Sequence, residues 1–128
     1  MPELKRMLLV EPESMLRRTV ALTARSLGLA DVQEAASTTL ARQMLAREAF
    51  DGALIAIDAG DAFDLSLLDQ VRLGQSASQA HIPLAVLAAN CDDTLLAALR
   101  ERRVDRVVLK PFRARTLLDA FTALSQQR

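Results

Sequence analysis

The sequence contains neither tryptophan nor tyrosine, and aromatic residues make up only 3% of it. Its core therefore has to be filled by leucine, valine, isoleucine and alanine. A single cysteine, Cys91, has no partner for an internal disulfide, and no group of cysteines and histidines has metal-ligand spacing. Neither a zinc site nor a secreted disulfide scaffold is expected. Charge of one sign is not in excess: 16 cations face 16 anions, for a net charge of +0. No overall field draws the molecule to nucleic acid or anionic lipid, so direct nucleic-acid binding is not expected. Long apolar runs are missing too. The charged start, Met1 to Arg6, leads only into Met7 to Val10, too short for a signal peptide or a membrane span, which points to a cytoplasmic protein without a membrane segment. Internal repeats, heptad seams and low-complexity linkers are likewise absent.

What is present fits one domain over residues 1–128, with a core from about 5 to 124. A chain of 128 residues is long enough for one core and short for two. Apolar residues at 51% and charged residues at 25% give the balance of a folded globular protein. Short apolar runs alternate with helical periodicity, the pattern of a parallel sheet covered on both faces. The expected strands are Met7 to Val10, about Val32 to Ala35, Ala53 to Ile57, Pro83 to Ala88 and Val104 to Leu109. Between them, Leu16, Val20, Thr23 and Leu27 mark a first helix ended by Gly28. Thr38 or Thr39 is expected to cap a second, anchored by Leu40, Met44 and Leu45. Leu65, Leu68 and Val71 mark a third, and Asp92 or Asp93 caps a fourth carrying Leu95, Leu96 and Leu99. Leu117, Leu118, Phe121 and Leu124 mark the last. Asp58 to Phe63 reads as a loop.

In an open parallel sheet, ligands bind outside the carboxyl ends of the strands. Those loops carry Glu11 and Glu13, then Asp58 and Asp61, then Ala88 to Cys91, and finally Lys110. Several carboxylates facing one lysine have the chemistry to hold a divalent cation and a phosphoryl group.

Met7-Leu8-Leu9-Val10-Glu11, Phe50-Asp51-Gly52, Ile82-Pro83-Leu84 and Leu109-Lys110-Pro111-Phe112 together resemble the receiver domain of two-component response regulators, over roughly Lys5 to Leu124. The last motif is the most specific, because 14 of the 16 basic residues are arginine and a lysine directly before Pro-Phe is thus unusual. The resemblance implies a doubly wound five-stranded α/β fold, flavodoxin- or CheY-like, in the order 2-1-3-4-5, with a cis bond before Pro111. It also implies phosphoryl transfer from a histidine kinase to an aspartate ending the third strand. Two acids after the first strand hold Mg²⁺ with it, a Ser/Thr and the lysine contact the phosphoryl oxygens, and an aromatic residue in the fifth strand reports the switch.

Carried over residue by residue, that set is mostly missing. The acid pair falls on Glu11 and Pro12, and Pro12 has no carboxylate. The gapless register places Ala56 at the acceptor and Gly60 at a usual proline position; a rival register, slid by one or two residues, places Asp58 at the acceptor. The hydroxyl position is Ala88 and the aromatic position Val107, leaving Glu11 and Lys110 from the set. The expectation is a pseudo-receiver and not an enzyme, with no cofactor and no metal, or Mg²⁺ on Glu11 and Asp58 if the rival register holds. Lys110 then pairs with Glu11 or Asp58. Output is expected through the face of helix 4, strand 5 and helix 5, with Leu95 and Leu99 as an apolar centre amid Arg102, Arg103, Arg106, Arg113 and Arg115. Asp92, Asp93, Glu101, Asp105 and Asp119 lie nearby. Its partner is a second copy, another protein, a histidine kinase, or an effector domain after Arg128.

Three further readings stay open. Asp58 is an active phosphoacceptor in the rival register. The arginines Arg100, Arg102, Arg103 and Arg106 either form a solvated face or bind an anionic nucleotide. Cys91 is either inert packing or a redox-sensitive thiol, while His81 has no nucleophile near it in sequence and is not expected to be catalytic.

Overall fold

The computed structural model describes residues 4–110 and 113–126. The three central apolar runs become strands buried on both faces, where a strand's alternate side chains need apolar partners on either side, while the two edge strands are only partly buried. The strands are β1 (Arg6–Val10), β2 (Asp31–Ala35), β3 (Gly52–Ala56), β6 (Leu84–Ala88) and β7 (Arg106–Leu109). They pair in parallel in the order β2-β1-β3-β6-β7. This is the expected 2-1-3-4-5 arrangement. The numbering shifts because β4 (Asp58–Ala59) and β5 (Ala62–Phe63) form a small antiparallel hairpin where a loop is expected.

Met7 and Leu9 face one layer, made by α1 (Ser14–Ser26) and α5 (Ala114–Ser125). Leu8 and Val10 face the other, made by α2 (Thr38–Arg47), α3 (Ser66–Arg72) and α4 (Asp93–Glu101). Two apolar cores thus sandwich the sheet. The connections leave β1 and β3 in opposite directions, so a crevice opens at the carboxyl ends of these strands.

The helices differ from the sequence reading in detail. Along α1 the buried stripe is Val20, Ala21 and Ala24, with Leu16 partly buried and Leu27 exposed. Gly28, at φ 69°, ends this helix as expected, its amide donating to Arg25 O at 3.1 Å. The cap of α2 is Ser37, one residue before the expected threonines, because its side chain accepts from the Leu40 amide at 3.1 Å. Ala41 and Leu45 anchor that helix while Leu40 is exposed. Asp92 caps α4 through the Leu95 amide at 2.8 Å. The expected cis bond before Pro111 lies outside the described residues.

Candidate functional site

The crevice begins where β1 ends. Glu11 is 1% exposed, and its Oε2 accepts from the Glu13 amide at 2.8 Å. Its Oε1 is buried without a hydrogen-bond partner. Pro12 is exposed and lines the pocket wall. Glu13 is consumed as the cap of α1: its oxygens accept from the Met15 amide at 3.2 Å and the Leu16 amide at 2.6 Å. A helix start needs such an acceptor for its free amides, so Glu13 does not replace the acid missing at Pro12.

Ala56 is the last residue of β3 and lies beside Leu87 of β6. Its methyl packs partly against the α1–α5 core. Two residues on, and on the same side of the alternating chain, Asp58 begins the hairpin. Gly60 turns this hairpin at φ 64°, and the Asp64 amide closes it on Ile57 O at 2.8 Å. The hairpin folds the Asp58 carboxylate back over the strand ends. Both its oxygens accept from the Ala89 amide, Oδ1 at 3.2 Å and Oδ2 at 3.0 Å, and Oδ2 lies 3.4 Å from Lys110 Nζ. Of the two partners expected for Lys110, Asp58 is the one it meets. Lys110 is itself placed by its amide, which donates to Ala88 O at 2.8 Å.

Val10, Pro12, Ala36, Ser37, Thr38, Ala56, Asp58 and Lys110 line one cavity of about 290 Å³. The structure thus brings Pro12, Ala56, Asp58 and Lys110 to one place. Ala88 ends β6 fully buried, and Val107 is half-buried in β7 against the α2–α3–α4 core. Neither Asp61, exposed in the hairpin turn, nor Glu13 joins them. The Ala89 amide was invisible to sequence reasoning because every residue carries one. The hairpin had a signal, the Gly60-Asp61 pair, a dipeptide suited to a tight turn.

Few carboxylates are left here for a cation: the Asp58 carboxylate meets the Ala89 amide and Lys110. Among the described residues no three His, Cys, Asp or Glu side chains are grouped to hold a metal ion. Glu11 offers one orphan oxygen, Pro12 offers nothing, and Glu13 is spent on amides.

The expected output face needs correction. Leu95 and Leu99 are 4% and 1% exposed because α4 turns them into the core under β6, so they are no surface centre. Arg102 points toward α3, its Nε 2.7 Å from Asp69 Oδ1 and its Nη1 2.9 Å from Ala98 O. What remains outward is Leu109, 50% exposed, together with Arg103, Arg106, Arg113 and Arg115. Arg106, Val107, Leu109, Arg113, Thr116 and Asp119 line a groove of about 580 Å³ along β7 and α5. Elsewhere, Cys91 Sγ lies 3.7 Å from Asp92 O, half-buried against the core. His81 is exposed at the amino ends of the strands, in a groove with Lys5, Phe50 and Asp51.

No family model and no curated protein matches the chain. Solved structures do. The non-phosphorylated HemR receiver domain from Leptospira biflexa superposes with a TM-score of 0.80 at 18% identity, over 97% of this chain and 96% of that one. A CheY-like response regulator receiver domain protein from Methanospirillum hungatei gives 0.78 at 19% identity, over 94% and 93%. The receiver domain of a sensor histidine kinase from Pseudomonas aeruginosa, with a magnesium ion coordinated in its active-site cleft, gives 0.74 at 19% identity, over 98% and 100%. At such identities the likeness establishes the receiver fold.

Proposed function

We propose that this chain is a signalling module of the receiver type that works by protein contact without accepting a phosphoryl group. The observation that carries this reading is the methyl of Ala56 at the end of β3, in the same cavity as Lys110, since the receiver resemblance expects its acceptor at the end of that strand. Pro12, Ala88 and Val107 support it, since each lacks the group that the phosphoryl chemistry calls on. Contact is made through β7 and α5, by Leu109 and the arginines around it, with a second copy of the chain or another protein. Alternating arginines and acids such as Arg106, Arg113 and Asp119 suit a self-complementary surface.

One observation favours a second reading. Asp58, and not Ala56, faces Lys110 directly, at 3.4 Å, as a phosphoacceptor would. Incubation with acetyl phosphate and Mg²⁺ followed by intact-mass measurement separates the two. No added phosphoryl mass is expected; an addition that disappears in Asp58→Ala would make Asp58 the acceptor. For the nucleotide reading, Arg102 is taken by Asp69, and Asp119 shares the groove of Arg106 and Arg113, where its charge opposes an anionic ligand.

A further inference from the structure

We propose that the Asp58 carboxylate is a resident anion at the carboxyl ends of β6 and β7, a permanent substitute for a transferred group that keeps this end of the sheet in one state. The inference rests on the phosphorylation-independent reading above and says how such a module is held.

Its first support is where the carboxylate lies. It belongs to the segment after β3, yet it receives the amide of Ala89, the first residue after β6, and the ammonium of Lys110, the first after β7. One anion thus joins the segments after β3, β6 and β7, beside the backbone bonds from the Ile57 amide to Leu87 O at 3.1 Å and from the Lys110 amide to Ala88 O at 2.8 Å. An oxyanion held by a backbone N–H and a lysine is a charge-assisted arrangement, stronger than a contact between neutral groups.

Its second support is how the carboxylate gets there. Asp58 is too far along the chain to sit in β3, which ends at Ala56. It arrives only because Asp58–Ala59 pairs antiparallel with Ala62–Phe63 around Gly60. The hairpin is a device for returning this side chain to the crevice. The side chains that would compete for the same donors are methyls, at Ala56 and Ala88.

Its third support is what the contact leads to. Ala89 is followed by Asn90, Cys91 and the α4 cap Asp92, so fixing the Ala89 amide fixes the approach to α4. Lys110 closes β7, whose Leu109 lies on the proposed contact surface. With the anion built in, the start of α4 and the end of β7 are set together without an added group.

Amide hydrogen exchange and NMR shifts on the whole chain test this. In Asp58→Ala, exchange at the Ala89 amide is expected to speed up by about tenfold against unchanged core amides, since a local bond is lost without global opening. Shifts are expected to move from Ala88 to Asp92 and at Lys110. Sodium acetate added to Asp58→Ala should bring them back toward wild type, while sodium chloride at equal ionic strength should not. Asp58→Asn keeps an acceptor for Ala89 and no charge for Lys110, so it should restore the amide alone. Ala89 exchange in Asp58→Ala that stays near the wild-type rate, or an acetate response no larger than that of chloride, would overturn the clasp. Either outcome with no mass gain from acetyl phosphate leaves the phosphorylation-independent reading standing; a phosphoryl mass on wild-type Asp58 ends both.

Discussion

Arg72 illustrates how much one side chain can hold in this molecule. Its guanidinium donates to Ala80 O and Ile82 O at 2.7 Å, to Arg102 O at 2.7 Å and to Arg103 O at 2.9 Å. It therefore joins the end of α3 to the approach to β6 and to the turn between α4 and β7. Burial pushes its pKa below the ordinary arginine value, Arg103 adds to that, and Asp105 at 4.0 Å opposes it. Arg72→Met leaves these carbonyls without donors and is expected to destabilise the fold by about 2–4 kcal/mol in urea unfolding. Arg72→Lys should recover little, because one ammonium cannot reproduce the planar fork. Asp64 carries a pH signature. Ser66, through its side chain and its amide at 2.9 Å, holds the carboxyl below its ordinary pKa, with Arg42 helping. A depressed folded pKa contributes stability above the unfolded value, near 4, and loses it as pH falls through the folded one. Asp64→Asn should thus lower the melting temperature at neutral pH and converge with wild type in acid. Neither residue stood out in the sequence: Arg72 is one arginine among 14, and its role depends on carbonyls up to 31 residues away.

At the scale of elements, the start of β3 shows why a turn motif is also a packing constraint. Phe50-Asp51-Gly52 was legible as one of the motifs of the receiver resemblance, but the glycine is required by its neighbours. A Cβ on Gly52 would lie 2.7 Å from Met7 Cε and 3.1 Å from Pro83 O. Gly52→Ala is expected to cost about 1–3 kcal/mol as an overpacked site. Pairing it with Met7→Val removes the clashing thioether end, so the double variant should be more stable than the sum of the singles by about 0.5 kcal/mol or more. Chemical denaturation of the singles and the double measures that coupling; strict additivity would place the strain on Pro83 O instead. The same closeness explains what sequence reading misassigned in α1. Hydropathy points to Leu27, yet the layer shared with α5 and the sheet admits Val20, Ala21 and Ala24, small residues that allow near approach. Element existence follows from periodicity, whereas the inward face depends on the space available, and for α2 that space again selected Ala41 over Leu40.

For the whole molecule, a parallel, doubly covered sheet was legible because short apolar runs alternate with helical periodicity, whereas the strand order came with the receiver resemblance. Of the crevice positions Pro12, Ala56, Asp58 and Lys110, Asp58 and Lys110 were legible because topology gathers strand ends, and Pro12 and Ala56 only through the receiver resemblance. The outer surface was not, since it depends on which side of α4 faces β6. With Leu95 and Leu99 inside, the contact surface proposed above is the edge strand β7, beside Leu109, Arg106 and Arg113. Leu109→Asp places a carboxylate in the apolar centre and is expected to return a dimer to the monomer mass in light scattering while leaving the melting temperature nearly unchanged. Leu99→Ala should do the reverse. It opens a cavity in the core and should cost about 2–5 kcal/mol of stability, with the association constant of the folded chain unaltered. If Leu109→Asp instead leaves the mass of an associated wild type unchanged, the contact surface lies elsewhere than β7, and the exposed Met15 and Leu22 of α1 become the next face to substitute.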